Sequence, residues 1–231
     1  MKKFLVAFTT LFACCYALFA GDAAAFVDLG FSSSNDVYVF GQYGKTDKDF
    51  HAYAEIYTVD VAKNDFVPKG VFRVTDTTGK SGAELFNELK TKRAASFLSS
   101  YQLTTIPPES LLYVASSTKP SGNEIMFKDY ENSTKDKTIF YDVRLMPLYE
   151  GKGSNTMSSF YIVMEKKDTE GNILSRNVIG NPEIKRKGVT SYAIDKIFTT
   201  PDGKGIVFLV EKTVTDSTGI SIRYMVETAE L

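Results

Sequence analysis

Short apolar and aromatic runs, each ended by turn residues, follow one another from Phe26 to the C-terminus. This pattern limits the chain to a strand-rich fold. We expect strands near residues 26–32, 37–43, 53–61, 66–74, 109–116, 124–130, 137–148, 157–167, 173–179, 191–199, 205–214 and 221–228. The predicted fold class is therefore mainly β, built as an antiparallel meander.

Three of these strands carry further information about burial. Residues 37–43 and 205–211 are apolar on both faces, which predicts that they lie in the middle of a sheet. Residues 137–148 alternate instead, which is typical of a half-buried antiparallel strand. The side chains expected on its apolar face are Ile139, Tyr141, Val143 and Leu145.

One helix is predicted to interrupt the strands, near residues 81–101. Ser81 and Glu84 form a capping box at its start, and good helix formers follow. An apolar stripe is formed by Ala94, Phe97, Leu98 and Tyr101. Leu85 and Leu89 fall on a rotated face, so we expect the helix to bend or to end early.

Residues 29–44 and 196–212 share one pattern, a strand followed by a tight turn and an aromatic strand. Phe31-Ser32 can be laid on Phe198-Thr199, and Tyr38-Val39-Phe40 on Ile206-Val207-Phe208. Further on, "EIYTVDVA" ending at Ala62 can be laid on "IRYMVETA" ending at Ala229. This order resembles the repeat of TolB-like β-propellers, whose blades are four-stranded meanders. The resemblance implies a propeller-like meander, and a two-sheet sandwich is the alternative.

A second resemblance covers Gly21 to Val74. The stretches "GDAAAFVDLGFSSSNDVYVFGQYG" and "YAEIYTVDVAKNDFVPKGVFRV" resemble an uncharacterised family of predicted secreted bacterial proteins from spirochaetes and some proteobacteria. The resemblance implies export and cleavage before Gly21. It implies no activity and no functional residues.

The first twenty residues have the pattern of a secretory signal peptide. Lys2 and Lys3 precede an apolar run that ends at Ala20, which predicts cleavage there and a single exported β-rich domain over residues 21–231. Cleavage after Ala25, lipidation at Cys14 and an uncleaved anchor remain open. Only the last two would place the protein on a membrane. We otherwise expect it to be periplasmic or secreted.

The composition excludes several kinds of chemistry. Both cysteines lie in the predicted signal peptide, and the one histidine, His51, lies in a polar loop. No nucleophile elbow or nucleotide-binding loop occurs, so no catalytic residue, metal ligand or cofactor is assigned. Lysine and arginine total 27 against 28 acidic residues, without a basic block, so nucleic acid is not an expected partner.

We therefore favour a non-catalytic binding or envelope-associated role. One alternative is a carboxylate-dependent hydrolase, since that chemistry needs neither histidine nor cysteine. Its candidate residues are Glu55, Asp60, Glu165, Glu211 and Glu227. A second alternative is a structural surface lipoprotein.

The candidate binding residues are a cluster of tyrosines and polar side chains on one hairpin: Gln42, Tyr43, Tyr53, Glu55 and Tyr57. Tyrosines with a few polar groups suit recognition of a protein, peptide or glycan. A recognition surface requires at least two of the three tyrosines to be exposed. In the alternative interpretation they fill the core and edges of a sheet, where tyrosine is favoured.

The mature protein is predicted to begin at Gly21, because the apolar run ends there. N-terminal sequencing or the intact mass of protein from its native cell checks this. A lipid-modified chain that begins at Cys14 would contradict it.

Overall fold

The computed structural model describes residues 22–116 and 123–231, so the signal peptide predicted for residues 1–20, with Cys14, lies outside the described residues. The strands are Asp22–Ala23 (β1), Ala25–Phe31 (β2), Val37–Lys45 (β3), Ala52–Asp60 (β4), Asp65–Asp76 (β5), Leu111–Val114 (β6), Glu124–Asp129 (β7), Ile139–Glu150 (β8), Met157–Asp168 (β9), Ile173–Ile179 (β10), Arg186–Lys187 (β11), Val189–Thr199 (β12), Gly205–Asp216 (β13) and Gly219–Glu230 (β14). Every strand that the sequence predicts is present. The two-residue strands β1 and β11 were not predicted.

The strands form three sheets, and almost every pairing is antiparallel. The first sheet has the order β2-β3-β4-β5. The central sheet has the order β1-β14-β13-β12-β6, in which β1 alone pairs in parallel, with β14. The third sheet has the order β10-β9-β8-β7, with β11 also paired to β9. The structure thus confirms a mainly β, antiparallel meander with an inserted helical segment.

The three sheets stack face to face, because the central sheet is apolar on both sides. Along β13, Phe208 faces the third sheet, whereas its neighbours Val207 and Leu209 face the first sheet. Of the predicted apolar face of β8, Tyr141, Val143 and Leu145 lie in the core between the central and third sheets, and Ile139 is buried outside that cluster. The predictions that β3 and β13 are inner strands are therefore confirmed.

The helical segment covers the remaining face of the first sheet. It consists of α1 (Gly82–Glu88), a π-helical turn over Leu89–Arg93, and α2 (Ala95–Ser99). The predicted capping box is present, and the predicted bend occurs at the π turn. A π turn holds more residues than an α turn, so it rotates the following residues. As a result, both predicted apolar sets reach one buried cluster, which includes Leu85, Leu89, Ala94 and Leu98.

None of the helices in residues 22–116 and 123–231 is long and apolar enough to span a membrane.

The two stretches predicted to be equivalent have the same strand order and closely similar turns. In one turn the Val37 amide donates to the Ser32 hydroxyl at 3.1 Å, and in the other the Gly205 amide donates to the Thr200 hydroxyl at 2.9 Å. Asn35 and Gly203, each three residues after the hydroxyl, both have positive φ, at 62° and 71°.

The register corrects part of the predicted alignment. Tyr38 pairs with Val59, and Ile206 pairs with Ala229, so Phe40 and Phe208 correspond as predicted. However, Ala229 corresponds to Val59 rather than to Ala62. The first strand is also displaced by one residue, because Thr199 rather than Phe198 corresponds to Phe31. Local residue similarity did not reveal these offsets, because only the cross-strand pairs fix the register.

The matching turns predict the response to substitution of Gly203. Gly203→Asn should change the free energy of unfolding little, because asparagine already occupies this conformation at residue 35. Gly203→Val should cost about 1–2 kcal/mol, since a β-branched residue is strained there. Urea unfolding of both variants checks this. Equal losses for the two would contradict the proposed equivalence of the turns.

Candidate functional site

The candidate binding residues lie on both faces of the first sheet. Gln42, Tyr53, Glu55 and Tyr57 face the central sheet, whereas Tyr43 faces the helices and its ring lies 5.5 Å from that of Phe86. The space at Gly41 is also filled by the helix, since an added Cβ would lie 2.3 Å from a Phe86 ring carbon.

Two of the three tyrosines lack the exposure that a recognition surface requires. Tyr53 is 6% exposed and Tyr57 is 8% exposed. The edge of the central sheet covers the face that carries them, and the sequence of the hairpin alone gives no sign of this cover. Tyr43 is half-buried.

Glu55 is the centre of a polar network within this interface. Its Oε2 accepts hydrogen bonds from Gln42 Nε2 and from the Tyr57 hydroxyl, both at 2.7 Å. Arg73 Nε lies 3.6 Å from its other oxygen. Burial, together with the Glu55 charge, raises the pKa of Tyr57 to about 12, so this hydroxyl stays protonated and donates.

A second polar cluster fixes the start of the described chain against the same interface. The Arg223 guanidinium lies 3.9 Å from the centre of the Tyr53 ring and forms an ion pair of 2.6 Å with Asp22. The Tyr53 hydroxyl also donates to Asp22, at 3.3 Å. These contacts give Tyr53 a structural role at the interface between the first and central sheets.

Two side-chain amides join the first sheet to the free edge of β14. The Tyr224 amide donates to Gln42 Oε1 at 2.8 Å, and the Thr228 amide donates to Asn64 Oδ1 at 2.8 Å. Asn64 also donates to Glu227, at 2.6 Å. The edge is therefore held at both ends by amides rather than by another strand.

Between these two attachment points lies a cavity of about 650 Å³. One wall is aromatic and belongs to the first sheet, where Tyr57 stacks on Phe40 at 5.1 Å and on Phe66 at 5.5 Å between ring centres. The opposite side is formed by β14, by Lys212 of β13 and by the segment from Gly180 to Arg186. This volume lies within the usual range of small-ligand sites.

The cations of the cavity wall are paired, with one exception. Lys63 pairs with Asp60 at 2.5 Å, Arg73 with Glu55, and Arg186 with Glu227 at 3.6 Å. No hydrogen bond or ion pair between described residues involves the side chain of Lys212, which is half-buried. Burial lowers the pKa of Lys212 to about 8, and the charge of Arg186 acts in the same direction. At neutral pH the Lys212 side chain is therefore protonated in most molecules.

Glu227 supplies the cavity with a buried carboxylate. It is 6% exposed, and burial raises its pKa despite the bonds from Asn64 and the nearby Arg186. The other hydrolase candidates lie elsewhere or have close partners. Asp60 pairs with Lys63, and Glu165 lies 2.6 Å from Arg144 Nη2 on the third sheet. Burial, followed by the nearby Asp195, raises the pKa of Glu211. Within the described residues no group of three or more histidine, cysteine, aspartate or glutamate side chains is placed to hold a metal ion.

Sequence analysis identified Tyr57 and Glu227 as residues of interest but missed Lys212 and Arg186. Lys212 continues the inward alternation of Ile206, Phe208 and Val210, and a lysine in that phase was an available signal. Arg186 had no comparable signal, because it lies in a short basic run of the kind common in solvated loops. Arg186 lies beside β14 only because the third sheet, which contains β11, stacks on the central sheet.

A β protein with a cavity at the meeting edge of stacked sheets is the class that this geometry defines. Residues 39–230 match the model of a family described as "Predicted secreted protein (DUF2259)". The chain belongs to this family, and the match agrees with export. Comparison with curated proteins and with solved structures found no match.

The burial of Tyr53 predicts a large loss of stability on truncation. Tyr53→Ala should lower the free energy of unfolding by roughly 3–5 kcal/mol, as for other buried aromatic residues. Tyr130→Ala is the matched control, because Tyr130 is 79% exposed and its loss should cost less than about 0.5 kcal/mol. Urea unfolding of both variants measures the difference, and similar small losses would contradict the buried position of Tyr53.

Proposed function

We propose that this protein is an exported, non-catalytic binding protein that takes a small anionic ligand in the cavity at the edge of β14, where the first sheet, the central sheet and the segment from Gly180 to Arg186 meet. It acts outside the cytoplasm, in the periplasm or as a secreted protein of a bacterium. Its family and the predicted signal peptide support export. The cavity supports binding.

The unpaired Lys212 is the observation that carries this proposal. A lysine that loses solvent without gaining a carboxylate partner destabilises the folded chain, because its charged form is penalised. The described part of the chain provides a carboxylate for each of its neighbours Arg73 and Arg186 but none for Lys212. An anionic ligand would supply the missing charge.

The aromatic wall indicates the rest of the ligand. The stacked rings of Phe40, Tyr57 and Phe66 form a continuous apolar surface, and the Arg73 guanidinium lies 5.3 Å from the Tyr57 ring centre. Such a wall suits a flat or apolar group. We therefore propose a ligand with a negative charge at one end and an apolar group at the other.

The sheets themselves are proposed to be propeller-like blades. Support comes from the first and central sheets, whose equivalent strands run in the same order around closely similar turns. Phe40 points from the first sheet to the central sheet, and Phe208 points from the central sheet to the third. Each sheet thus presents its corresponding face to the next, as blades in a propeller do.

Substitution of Lys212 tests the proposed site. Benzoate, phenyl phosphate and glucuronate are the probes, and isothermal titration calorimetry at pH 7 measures their binding to the mature chain. We expect at least one to bind, and Lys212→Met to weaken it about tenfold or more, since a hydrogen bond to a charged group contributes about 1.5–3 kcal/mol. Lys63→Met is the matched control, because that rim side chain is 77% exposed. Binding should also weaken above pH 8, as Lys212 loses its proton.

The same variant should be more stable than the natural chain at pH 7, by roughly 1–3 kcal/mol. The pKa of Lys212 is about 8 in the folded chain against the ordinary 10.5, so the unfolded chain binds more protons between these values. The stability of the natural chain therefore rises over that pH range, and the advantage of Lys212→Met shrinks. Loss of stability at pH 7, or the absence of Lys212-dependent binding both of these three probes and of carboxylate-bearing peptides, would overturn the proposal.

A further inference from the structure

The edge of β14 that faces the cavity has peptide groups that pair with no other strand among the described residues. β13 and β14 form a continuous antiparallel ladder from Asp216 and Gly219 onward without a bulge, so alternate residues of β14 direct their peptide groups away from β13. The outward amides of Tyr224 and Thr228 are the ones that donate to Gln42 and Asn64. Val226 lies midway between them and has the same orientation.

The peptide group of Val226 is therefore directed along the sheet edge at the cavity. Val226 lines the cavity, and it pairs with Leu209 at a position of the ladder where neither residue bonds to the other. Within residues 22–116 and 123–231, the first sheet makes no hydrogen bond with the Val226 amide. The amides of Tyr224 and Thr228, by contrast, each donate one to that sheet. One donor and one acceptor are thus available to an extended ligand.

This same edge already accepts an added strand elsewhere. β1 pairs in parallel with β14 at Ser221 and Ile222, and the Ala24 amide donates to the Ile222 carbonyl at 3.0 Å. The pairing ends where Gln42 begins to contact the edge. The chain thus shows that extended backbone can lie beside β14, which is the way that peptides are bound by strand addition.

The charged groups at the two ends of the cavity fix the direction in which a peptide would run along this edge. Lys212 pairs with Arg223, so it lies toward the Tyr224 end of the cavity, whereas Glu227 and Asn64 lie at the other end. A peptide whose carboxylate meets Lys212 must therefore run antiparallel to β14. Its apolar side chains would then have the rings of Tyr57 and Phe66 beside them.

We propose that the cavity binds a short extended peptide with a free carboxyl terminus, which pairs with Val226 on the edge of β14 and places its carboxylate at Lys212. This inference rests on the proposed function, because it names the ligand class of the same cavity. In antiparallel pairing, one ligand residue exchanges both of its backbone hydrogen bonds with Val226, and the residues on either side of it face away.

Peptides with a single N-methyl group test this pattern. The parent probe is acetyl-Ala-Phe-Ala with a free carboxyl terminus, and each of its three amides is methylated in turn. Methylation of the residue opposite Val226 removes a donor and blocks the approach, so binding should weaken about tenfold or more. Methylation of its immediate neighbours should change affinity little. The carboxy-terminal amide of the parent peptide should also bind about tenfold more weakly, and Lys212→Met should remove that difference.

Nuclear magnetic resonance on the ¹⁵N-labelled mature chain gives a direct second readout. The Val226 amide should shift downfield and exchange more slowly with the parent peptide but not with benzoate. Val226→Pro removes this amide, and proline is tolerated on an edge strand whose amide faces outward. Its unfolding curve shows whether it folds, and the methyl scan needs no change in the protein.

The outcomes separate this inference from the proposed function. In one outcome, benzoate, phenyl phosphate or glucuronate binds in a Lys212-dependent way while no peptide binds, or while methylation at all three positions weakens peptide binding equally. Either result would overturn the peptide inference and leave the proposed function in place. If neither these anions nor any peptide binds, both are overturned. An alternating response to methylation with a Val226 amide shift would support both.

Discussion

The two apolar faces of the central sheet are the constraint on which the rest of this structure depends. Along β13, alternate side chains such as Phe208 and Leu209 point to opposite sides, and each side must be removed from water. One covering sheet would leave the other face exposed. The chain therefore places the first sheet on one side and the third sheet on the other. Only the outermost face of the first sheet then needs the helices.

The cavity is a consequence of how the first sheet meets the central sheet. The first sheet reaches the edge of β14, and the exposed peptide groups of that edge require partners. Gln42 and Asn64 supply amide oxygens at the two ends, where a strand would otherwise lie. Each of these side-chain amides bonds to only one peptide group of the edge. The space between them remains open, and the stacked rings around Tyr57 line it.

Polar groups in this interface fall into two kinds. Glu55 accepts from two neighbours and pairs with Arg73, and Asp22 pairs with Arg223, so both carboxylates have a cationic partner within the chain. Lys212 gains no such partner among residues 22–116 and 123–231, and its lowered pKa expresses the free energy that this burial costs. A structural role does not account for an unpaired cation beside paired ones. The proposed ligand-binding role does, because a ligand would supply the missing partner from outside.

The sequence by itself determined the strands, their turns and the faces of several of them, because these follow from local alternation and turn chemistry. It also determined the capping box at Ser81 and the inner positions of β3 and β13. Only the tertiary structure decided which sheet covers which face. That decision buried Tyr53 and Tyr57, and it brought Arg186 and the aromatic wall of the first sheet to the edge of β14 beside Lys212, across long separations in the chain. Strand periodicity is set within a few residues, whereas sheet stacking depends on how distant surfaces complement one another, and no local pattern encodes that match.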